Sequence, residues 1–440
     1  MTDPTGWRLN STDEMLHRAA TALGSSRIVQ VLWRLDTPPS HAELRAEWDR
    51  LNGGLLSRRA ASAHVPGARR RWVRTPNTHP LQLDHHALTD ATAAQWIDTQ
   101  VQVPLPADST ALWRLAAAPY DDGCLVSLTV PHLRSDGLGL LNAIAARTPA
   151  CRPHDSDAAE ALDQTTRAIT ETARWSLRLA SDPRQRALIR AALRPRPTAA
   201  GPAERPRFFN TAIITADAAE WQEQARRHGG TPNSLFVEIA ANLVRSRVPR
   251  ATHDGIHVGI PMSTRRPAGD ERANALVVVP LGLPGGPAHH ADLHPTRQAT
   301  KTLLQETGAH SATLVPEALW HLLPARLAAA LKSPGAQQTD VVASNFGHAP
   351  EAVVEFAGGT ARSVALRTMN VPGLVPNRAR LRASLCLLRV GRQMTVTVTG
   401  MPDHFGGPAQ LHRLITEELA AWGLKARPWW STTAHEAKKG

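Results

Sequence analysis

The chain has 440 residues, 42% of them hydrophobic, so it can form two domains of ordinary size and is not globally disordered. Its formal net charge is +12, mostly from arginine, which an arginine-rich codon usage explains in large part and an acidic partner such as a carrier protein explains as the alternative. The absence of Cys/His finger spacing and the low share of aromatic residues, 4%, argue against a nucleic-acid-binding module.

Cysteine usage and hydropathy predict the compartment. Cys124, Cys151 and Cys386 are odd in number and widely spaced, which argues against a disulfide framework or a Cys-x-x-Cys metal site. The N-terminus has no apolar signal-peptide core, and no apolar run approaches the ~20 residues of a membrane span. We therefore expect a cytoplasmic, monomeric protein with at most peripheral membrane contact.

The first half of the chain alternates apolar strand patterns with amphipathic helix patterns. In order, the pattern predicts a helix beginning near Ser11–Glu14, a strand at Ile28–Leu35, a helix through Leu51, a helix at Ala91–Val101 with Asp90 as its N-cap, strands at Leu112–Ala118 and Leu125–Val130 joined by a turn at Asp121–Gly123, and a helical region from Ala158 to Ala192 broken at Pro183.

The second half repeats this alternation. The pattern predicts strands at Ala212–Ile214, Ile256–Ile260, Ala275–Leu283 and from Val341, a hairpin of Ala383–Val390 with Met394–Val398, helices at Ala216–His228, Leu235–Val244 and Gln410–Trp422, and a loop at Asp403–Gly407. A proline-rich, charged stretch without apolar periodicity separates the halves. We expect an N-terminal lobe at 1–193, a linker at 194–207, a C-terminal lobe at 208–424 and a disordered tail at 425–440.

One stretch carries the strongest functional pattern. The apolar run Leu125–Val130 ends at Pro131 and is followed by His132, Asp136 and Gly137 in the arrangement H-x-x-x-D-G. The histidine thus lies at the end of a predicted strand, and a tight turn after it leads into a predicted helix. Functional groups are common on such loops, and a neutral imidazole is the usual general base near pH 7. A satisfied structural histidine is the alternative.

A near-copy of this motif occurs earlier in the chain. His85 and His86 precede Asp90 with the same spacing, but Ala91 replaces the glycine and no apolar strand leads into the motif. We therefore favour His132 over this pair. The other histidines have no third ligand at metal spacing, so we predict no metal site.

Several further motifs resemble one known superfamily. H-x-x-x-D-G after a strand is typical of the CoA-dependent acyltransferases, which include chloramphenicol acetyltransferase and the condensation domains of peptide synthetases. Within that superfamily, the chain is most similar to the bacterial wax ester synthase/diacylglycerol acyltransferase family. The matching stretches are Ser11–Arg18, Leu83–His86, Leu112-Trp113, Pro232–Ser234, Ile260–Arg265, Asn274 and Ser344–Gly347.

The resemblance implies an α/β fold of two chloramphenicol-acetyltransferase-like lobes with an active-site tunnel between them. It implies that an acyl group moves from a phosphopantetheine thioester, acyl-CoA or an acyl-carrier protein, to a hydroxyl or amine, without a tightly bound cofactor. No serine or cysteine stands beside His132 as a nucleophile motif requires, so we expect direct attack assisted by His132.

The resemblance also implies roles for other residues. Asp136 would pair with Arg265 and support the structure of the site, while the N–H of Gly137 could hold the thioester oxyanion. Polar residues of the matching motifs are candidates for lining the tunnel. These are Ser263, Thr264, Asn274, Ser344 and Asn345.

Departures from the family pattern bear on the substrate. Pro131 stands where the family has a first histidine, Ala273 replaces a glycine, and the chain has only six phenylalanines. These departures favour an acyltransferase of secondary metabolism over a wax ester synthase. Two alternatives stay open: a condensation-like enzyme acting on carrier-bound substrates, and a degenerate lobe pair that binds acidic acyl or peptidyl carrier proteins.

Overall fold

Two large mixed sheets form the framework of the molecule. The computed structural model describes residues 7–24, 26–146, 156–194, 205–248, 255–266, 270–305, 311–333, 338–371, 373–375 and 379–430, so Cys151 and most of the expected linker lie outside it. The strands are β1 Ile28–Leu35, β2 Arg58–Ala61, β3 Arg71–Arg74, β4 Gln82–Leu83, β5 Arg114–Tyr120, β6 Gly123–Pro131, β7 Asn210–Asp217, β8 Ile256–Ser263, β9 Leu276–Leu283, β10 Val341–His348, β11 Glu355–Phe356, β12 Gly359–Met369, β13 Ala383–Val390, β14 Gln393–Gly400 and β15 Arg427–Pro428.

Helices connect the strands and cover the sheets. Several begin at a residue whose side chain caps the first turn, as at Ser40, whose hydroxyl accepts from the Glu43 N–H. The helices are α1 Ser11–Leu23, α2 His41–Asn52, α3 Asp90–Gln102, α4 Gly137–Ala145, α5 Asp157–Ser181, α6 Pro183–Leu193, α7 Ala218–Arg227, α8 Pro232–Arg245, α9 His294–Gln305, α10 Glu317–Leu322, α11 Ala325–Ala330, α12 Glu351–Val354, α13 Pro402–Phe405 and α14 Pro408–Ala421.

The first sheet has the strand order β11-β12-β1-β6-β5-β4. Strands β1 and β6 run antiparallel at its centre, with Ile28 opposite Pro131 and Leu35 opposite Cys124. Every residue of β6 is buried, which explains why its sequence is mostly apolar. The buried centre of this sheet therefore fixes the end of β6, from which the H-x-x-x-D-G loop continues.

The expected boundaries of the C-terminal lobe are wrong in one respect. Strand β12 falls within 208–424, yet it pairs antiparallel with β1 in the first sheet, with Met369 opposite Ile28. The Trp33 ring stacks on Phe356 at 4.2 Å, and its indole N–H donates to the Val353 carbonyl at 2.7 Å. The second half of the chain thus completes the first sheet, because β1 would otherwise present an unpaired edge.

The second sheet has the order β15-β7-β14-β13-β10-β8-β9. Strand β10 runs parallel to both neighbours, β8 and β13, whereas β13-β14-β7 form an antiparallel set. Helix α8 packs against this sheet, and from Ser234 to Arg245 all its residues are buried. This helix is mostly apolar because it lies inside the second lobe, and its buried Glu238 pairs with Arg245.

The tail also differs from expectation. A disordered segment was predicted from Lys425, but Arg427–Pro428 form β15 against β7, and Trp429 and Trp430 are buried. The Trp429 carbonyl accepts from Arg34 at 2.8 Å, which ties the tail to the first sheet. Two large apolar side chains next to proline gave too weak a periodic signal to predict a strand. Residues 431–440 lie outside the described part of the chain.

Two local expectations are corrected as well. Thr89, not Asp90, is the N-cap of α3, and the Asp90 carboxylate accepts from the Tyr120 hydroxyl at 2.7 Å. The stretch expected as a loop at Asp403–Gly407 begins inside the short helix α13. Among the described helices, none is long and apolar enough to cross a membrane.

Candidate active site

The backbone of the first sheet places His132. The residue follows β6 directly, and its N–H donates to the Arg27 carbonyl at 2.7 Å, which extends the β1–β6 ladder by one bond. The side chain is half-buried. His132 is therefore held by regular sheet pairing on one side and enters the turn that leads to α4 on the other.

The other lobe supplies a partner for the imidazole. His132 Nδ1 lies 2.9 Å from Asn274 Oδ1, just before β9 of the second sheet. The Asn274 amide nitrogen donates to Asp13 Oδ1 at 2.9 Å and to the Leu133 carbonyl at 3.2 Å, and both of these groups are acceptors. This fixes the amide with its oxygen towards His132, so Nδ1 carries the hydrogen and Nε2 keeps its lone pair.

Burial and charge act together on this imidazole. The pKa of His132 is lowered from 6.5, first by burial and then by the neighbouring Arg27 cation, while the Asp136 carboxylate opposes the shift. The side chain is therefore neutral near pH 7. A neutral imidazole with a free Nε2 lone pair is the form that can remove a proton.

Asp136 makes no hydrogen bond to His132. Its carboxylate instead stabilises the H-x-x-x-D-G loop. Its Oδ1 accepts from the Gly139 N–H at 2.7 Å and so caps α4, and its Oδ2 accepts from the Ala275 N–H at 2.7 Å. Oδ2 also pairs with Arg265 at 2.8 Å, and both side chains are buried. The ion pair expected from the resemblance is present, and it joins the H-x-x-x-D-G loop to the second lobe.

Arg265 also binds the backbone of the segment that leads to Asn274. Its guanidinium donates to the carbonyls of Arg272 at 2.8 Å and Ala273 at 3.0 Å. A Cβ added at Gly139 would lie 2.4 Å from the guanidinium, so α4 can approach this closely only with glycine there. Arg265 therefore holds the chain just before Asn274 in place, and with it the amide that faces His132.

Gly137 marks a second close approach between the lobes. A Cβ on this residue would lie 2.3 Å from Cε1 of Phe346, on β10. Phe346 packs against the apolar core of the first lobe although it belongs to a strand of the second sheet. The first turn of α4 has N–H groups without helical partners, as every helix start does, and Gly137 lies there.

The residues predicted to line a tunnel fall into two groups. Ser263, Thr264 and Asn345 are exposed, and Asn345 donates from its amide to Asn233 at 3.0 Å. Ser344 is buried. Asn274 has no exposed surface and contacts His132, so the prediction that it lines a tunnel is wrong. Its contact with the imidazole depends on the packing of the two lobes and could not be predicted from its position in the sequence.

The near-copy of the motif is not assembled into a comparable site. His85 and His86 are both exposed, and only the two-residue strand β4 precedes them. Asp84 accepts from the indole of Trp96 at 2.6 Å, a structural contact with α3. The sequence-based preference for His132 agrees with this arrangement.

Sequence reasoning missed three residues of the site. Arg27 precedes a strand, Asp13 lies in a helix start where acidic residues are common, and Phe346 lies at a strand end, so none had a distinctive local signal. The matches of Ser11–Arg18 and Ser344–Gly347 to family motifs pointed only towards Asp13 and Phe346. All three reach the site by tertiary contact.

No protein-family model and no curated protein matches the sequence. Among solved structures, the first condensation domain of the calcium-dependent antibiotic synthetase is similar, with a TM-score of 0.60, 18% identity, and coverage of 94% of this chain and 96% of that one. The wax ester synthase/diacylglycerol acyltransferase from Marinobacter aquaeolei VT8 aligns with a TM-score of 0.54 and 13% identity over 94% and 98% of the two chains.

A starter condensation domain of rhizomide synthetase, in complex with C8-CoA and Leu-SNAC, aligns with a TM-score of 0.55 and 14% identity over 96% of both chains. The two-lobed α/β fold expected from the motifs is therefore confirmed over almost the whole chain. The TM-scores to condensation domains and to the wax ester synthase are of similar size, so the fold favours neither.

Proposed function

We propose that the protein is an acyltransferase that moves an acyl group from a phosphopantetheine thioester to a hydroxyl or amine acceptor. The observation that carries the proposal is the state of His132. Asn274 holds hydrogen on Nδ1, burial keeps the ring neutral, and Nε2 is left with a lone pair. The fold shared with condensation domains and a wax ester synthase supports the same chemistry.

The arrangement supports direct transfer. His132 Nε2 removes the proton of the acceptor hydroxyl or amine as that atom attacks the thioester carbonyl, which is worth on the order of 10²–10⁴ in rate. The tetrahedral oxyanion then collapses, the carbon–sulfur bond breaks, and the imidazolium returns its proton to the thiolate. In this proposal the N–H of Gly137, in the first turn of α4, stabilises the oxyanion.

Acyl-CoA and acyl-carrier protein both deliver the thioester on a phosphopantetheine arm. The formal net charge of +12 suits the phosphates of CoA and an acidic carrier surface alike. We favour a dedicated acceptor of secondary metabolism because Pro131 replaces the first histidine of the family pattern. A condensation-like reaction on carrier-bound substrates is the second candidate, since the chain shares its fold with condensation domains as well as with the wax ester synthase.

The proposal is tested by replacing the base. His132→Ala should lower thiol release from acyl-CoA or acyl-carrier protein at least 10²-fold, in the presence of a panel of alcohols and amines, because it removes the proposed general base. Its thermal unfolding should match the wild type. His86→Ala is the matched control, an exposed histidine of the near-copy motif, and should keep full activity.

Full turnover by a folded His132→Ala variant would overturn the proposal. Running each donor separately distinguishes the two donor classes: turnover of acyl-CoA supports a CoA-dependent transferase, and turnover of the carrier-bound thioester alone supports the condensation-like reaction. Binding of an acidic carrier with no turnover of any thioester would instead favour the non-catalytic alternative.

A further inference from the structure

A buried carboxylate from the N-terminal helix lies directly behind the His132–Asn274 pair. Asp13, in the first turn of α1, is 1% exposed. Its Oδ1 accepts from both the backbone N–H of Asn274 at 3.1 Å and the side-chain amide at 2.9 Å, and its Oδ2 accepts from the Asn10 N–H at 3.3 Å. Asp13 is thus the anchor of Asn274 on the side facing away from His132.

The anchoring leaves Asn274 a single orientation. Its amide hydrogens are taken by Asp13 and the Leu133 carbonyl, and its backbone carbonyl accepts from the Asn10 side chain at 2.5 Å. With Asp13 ionised, rotating the amide by half a turn would set its oxygen against a carboxylate and a carbonyl, and no hydrogen would lie between these acceptors. The remaining free oxygen must therefore face His132.

The charges around this chain of contacts favour the same arrangement. Burial raises the pKa of Asp13 to about 7, while three donors and the nearby Arg58 cation stabilise its ionised form. The Asp13 charge is also one of the causes that raise the pKa of Arg272. On the other side, His132 faces Arg27 and Asp136. The neutral amide between the two keeps the Asp13 charge one residue away from the imidazole.

We propose that Asp13 is a positioning residue of the site: by fixing the amide of Asn274, it selects the Nδ1–H tautomer of His132 and leaves Nε2 free. An aspartate bonded directly to the ring would raise the pKa of the histidine, whereas an amide fixes the tautomer without a charge in contact. The effect on catalysis rests on the proposed function; the effect on the tautomer does not.

The tautomer can be measured without a substrate. With ¹⁵N-labelled histidine, the ring nitrogens of His132 are assigned by difference from His132→Gln and recorded at pH 8, where His132 is neutral. The wild type should show a protonated Nδ1 and an unprotonated Nε2. In Asp13→Asn, the Asn274 amide can reverse and present its N–H to Nδ1, so a measurable share of His132 should carry hydrogen on Nε2.

Glu14→Gln is the matched control, since Glu14 is a buried carboxylate in the same turn of α1 that pairs with Arg18 and not with Asn274. Its His132 spectrum should equal the wild type. Because loss of a buried carboxylate can unfold α1, Asp13→Ser, which keeps one acceptor, is prepared in parallel. A wild-type spectrum in a folded Asp13 variant, or an Nε2–H tautomer in the wild type itself, would overturn the inference.

Kinetics separates this inference from the proposed function. If the enzyme transfers acyl groups, Asp13→Asn should lower kcat about tenfold or more and leave KM within twofold. That loss is smaller than the roughly 10⁴-fold seen when an aspartate bonded directly to a catalytic histidine is changed to asparagine. A wild-type protein with the expected tautomer and no turnover defeats only the proposed function. Turnover with an unchanged Asp13→Asn spectrum defeats only this inference.

Discussion

At the scale of single residues, the loop after β6 is built from buried polar contacts that cross between the lobes. His132 meets Asn274, and Asp136 meets Arg265 and Ala275. Such contacts stabilise only when every donor and acceptor is matched, because an unpaired buried group costs its full desolvation. Each carboxylate oxygen of Asp136 has a hydrogen-bond donor, so Asp136 stabilises the structure of this loop.

Replacing Asp136 tests that division of roles. Asp136→Asn should lower the free energy of unfolding by ~3 kcal/mol, because it leaves the buried Arg265 guanidinium without its counter-charge. Denaturant unfolding followed by fluorescence measures the change. Asp121→Asn, at an exposed ion pair with Arg34, should shift the curve by less than ~1 kcal/mol. An Asp136→Asn protein as stable as wild type but inactive would contradict a structural role.

At the scale of elements, apolar patterning predicted most strands and helices correctly. β1 begins and ends at the predicted residues, and the break at Pro183 separates α5 from α6. Several strands, among them β12 and β15, and the three helices between β9 and β10 were not predicted. In β12, arginine and threonine interrupt the apolar residues, and β15 has two residues, so each is a strand because a neighbouring edge pairs with it.

The buried end of the tail gives a test at this scale. Trp430 is 4% exposed, belongs to an apolar cluster with first-sheet residues and lies against the ring of His412 at 5.2 Å. Trp430→Ala should therefore destabilise the protein by ~3 kcal/mol through the cavity it leaves. The matched control Arg427→Ala changes an exposed side chain of β15 and should leave the unfolding midpoint within error. Equal midpoints for both variants would refute the packing role of the tail.

At the scale of the whole molecule, the two lobes are connected by a shared strand and by buried side chains. β12 reaches the first sheet from the second half of the chain, and its Arg367 is buried between the lobes. The guanidinium donates to Asp98 at 2.6 Å and Gln30 at 2.5 Å, both in the first lobe, and also to Thr211 on β7 of the second. The two lobes are therefore also joined by buried polar contacts outside the His132 site.

Dividing the chain tests this interdependence. A fragment of residues 1–193 lacks β11 and β12, so one edge of β1 is unpaired and should drive aggregation. We expect the fragment to be insoluble when expressed alone and to become soluble when co-expressed with residues 205–440, as measured by the soluble fraction and by co-purification. A soluble 1–193 monomer that unfolds cooperatively would show that the first lobe folds without β12.

The sequence by itself determined the α/β class, most element positions and the identity of His132, Asp136 and Gly137, because these depend on short-range periodicity and on one contiguous motif. The tertiary structure decided the rest. Asn274 and Asp13 are separated from His132 by more than a hundred residues, and their hydrogen-bond geometry follows from how the lobes meet. Local patterns carry information about a residue's neighbours in the chain, whereas the tautomer of His132 depends on contacts that exist only after both lobes have packed.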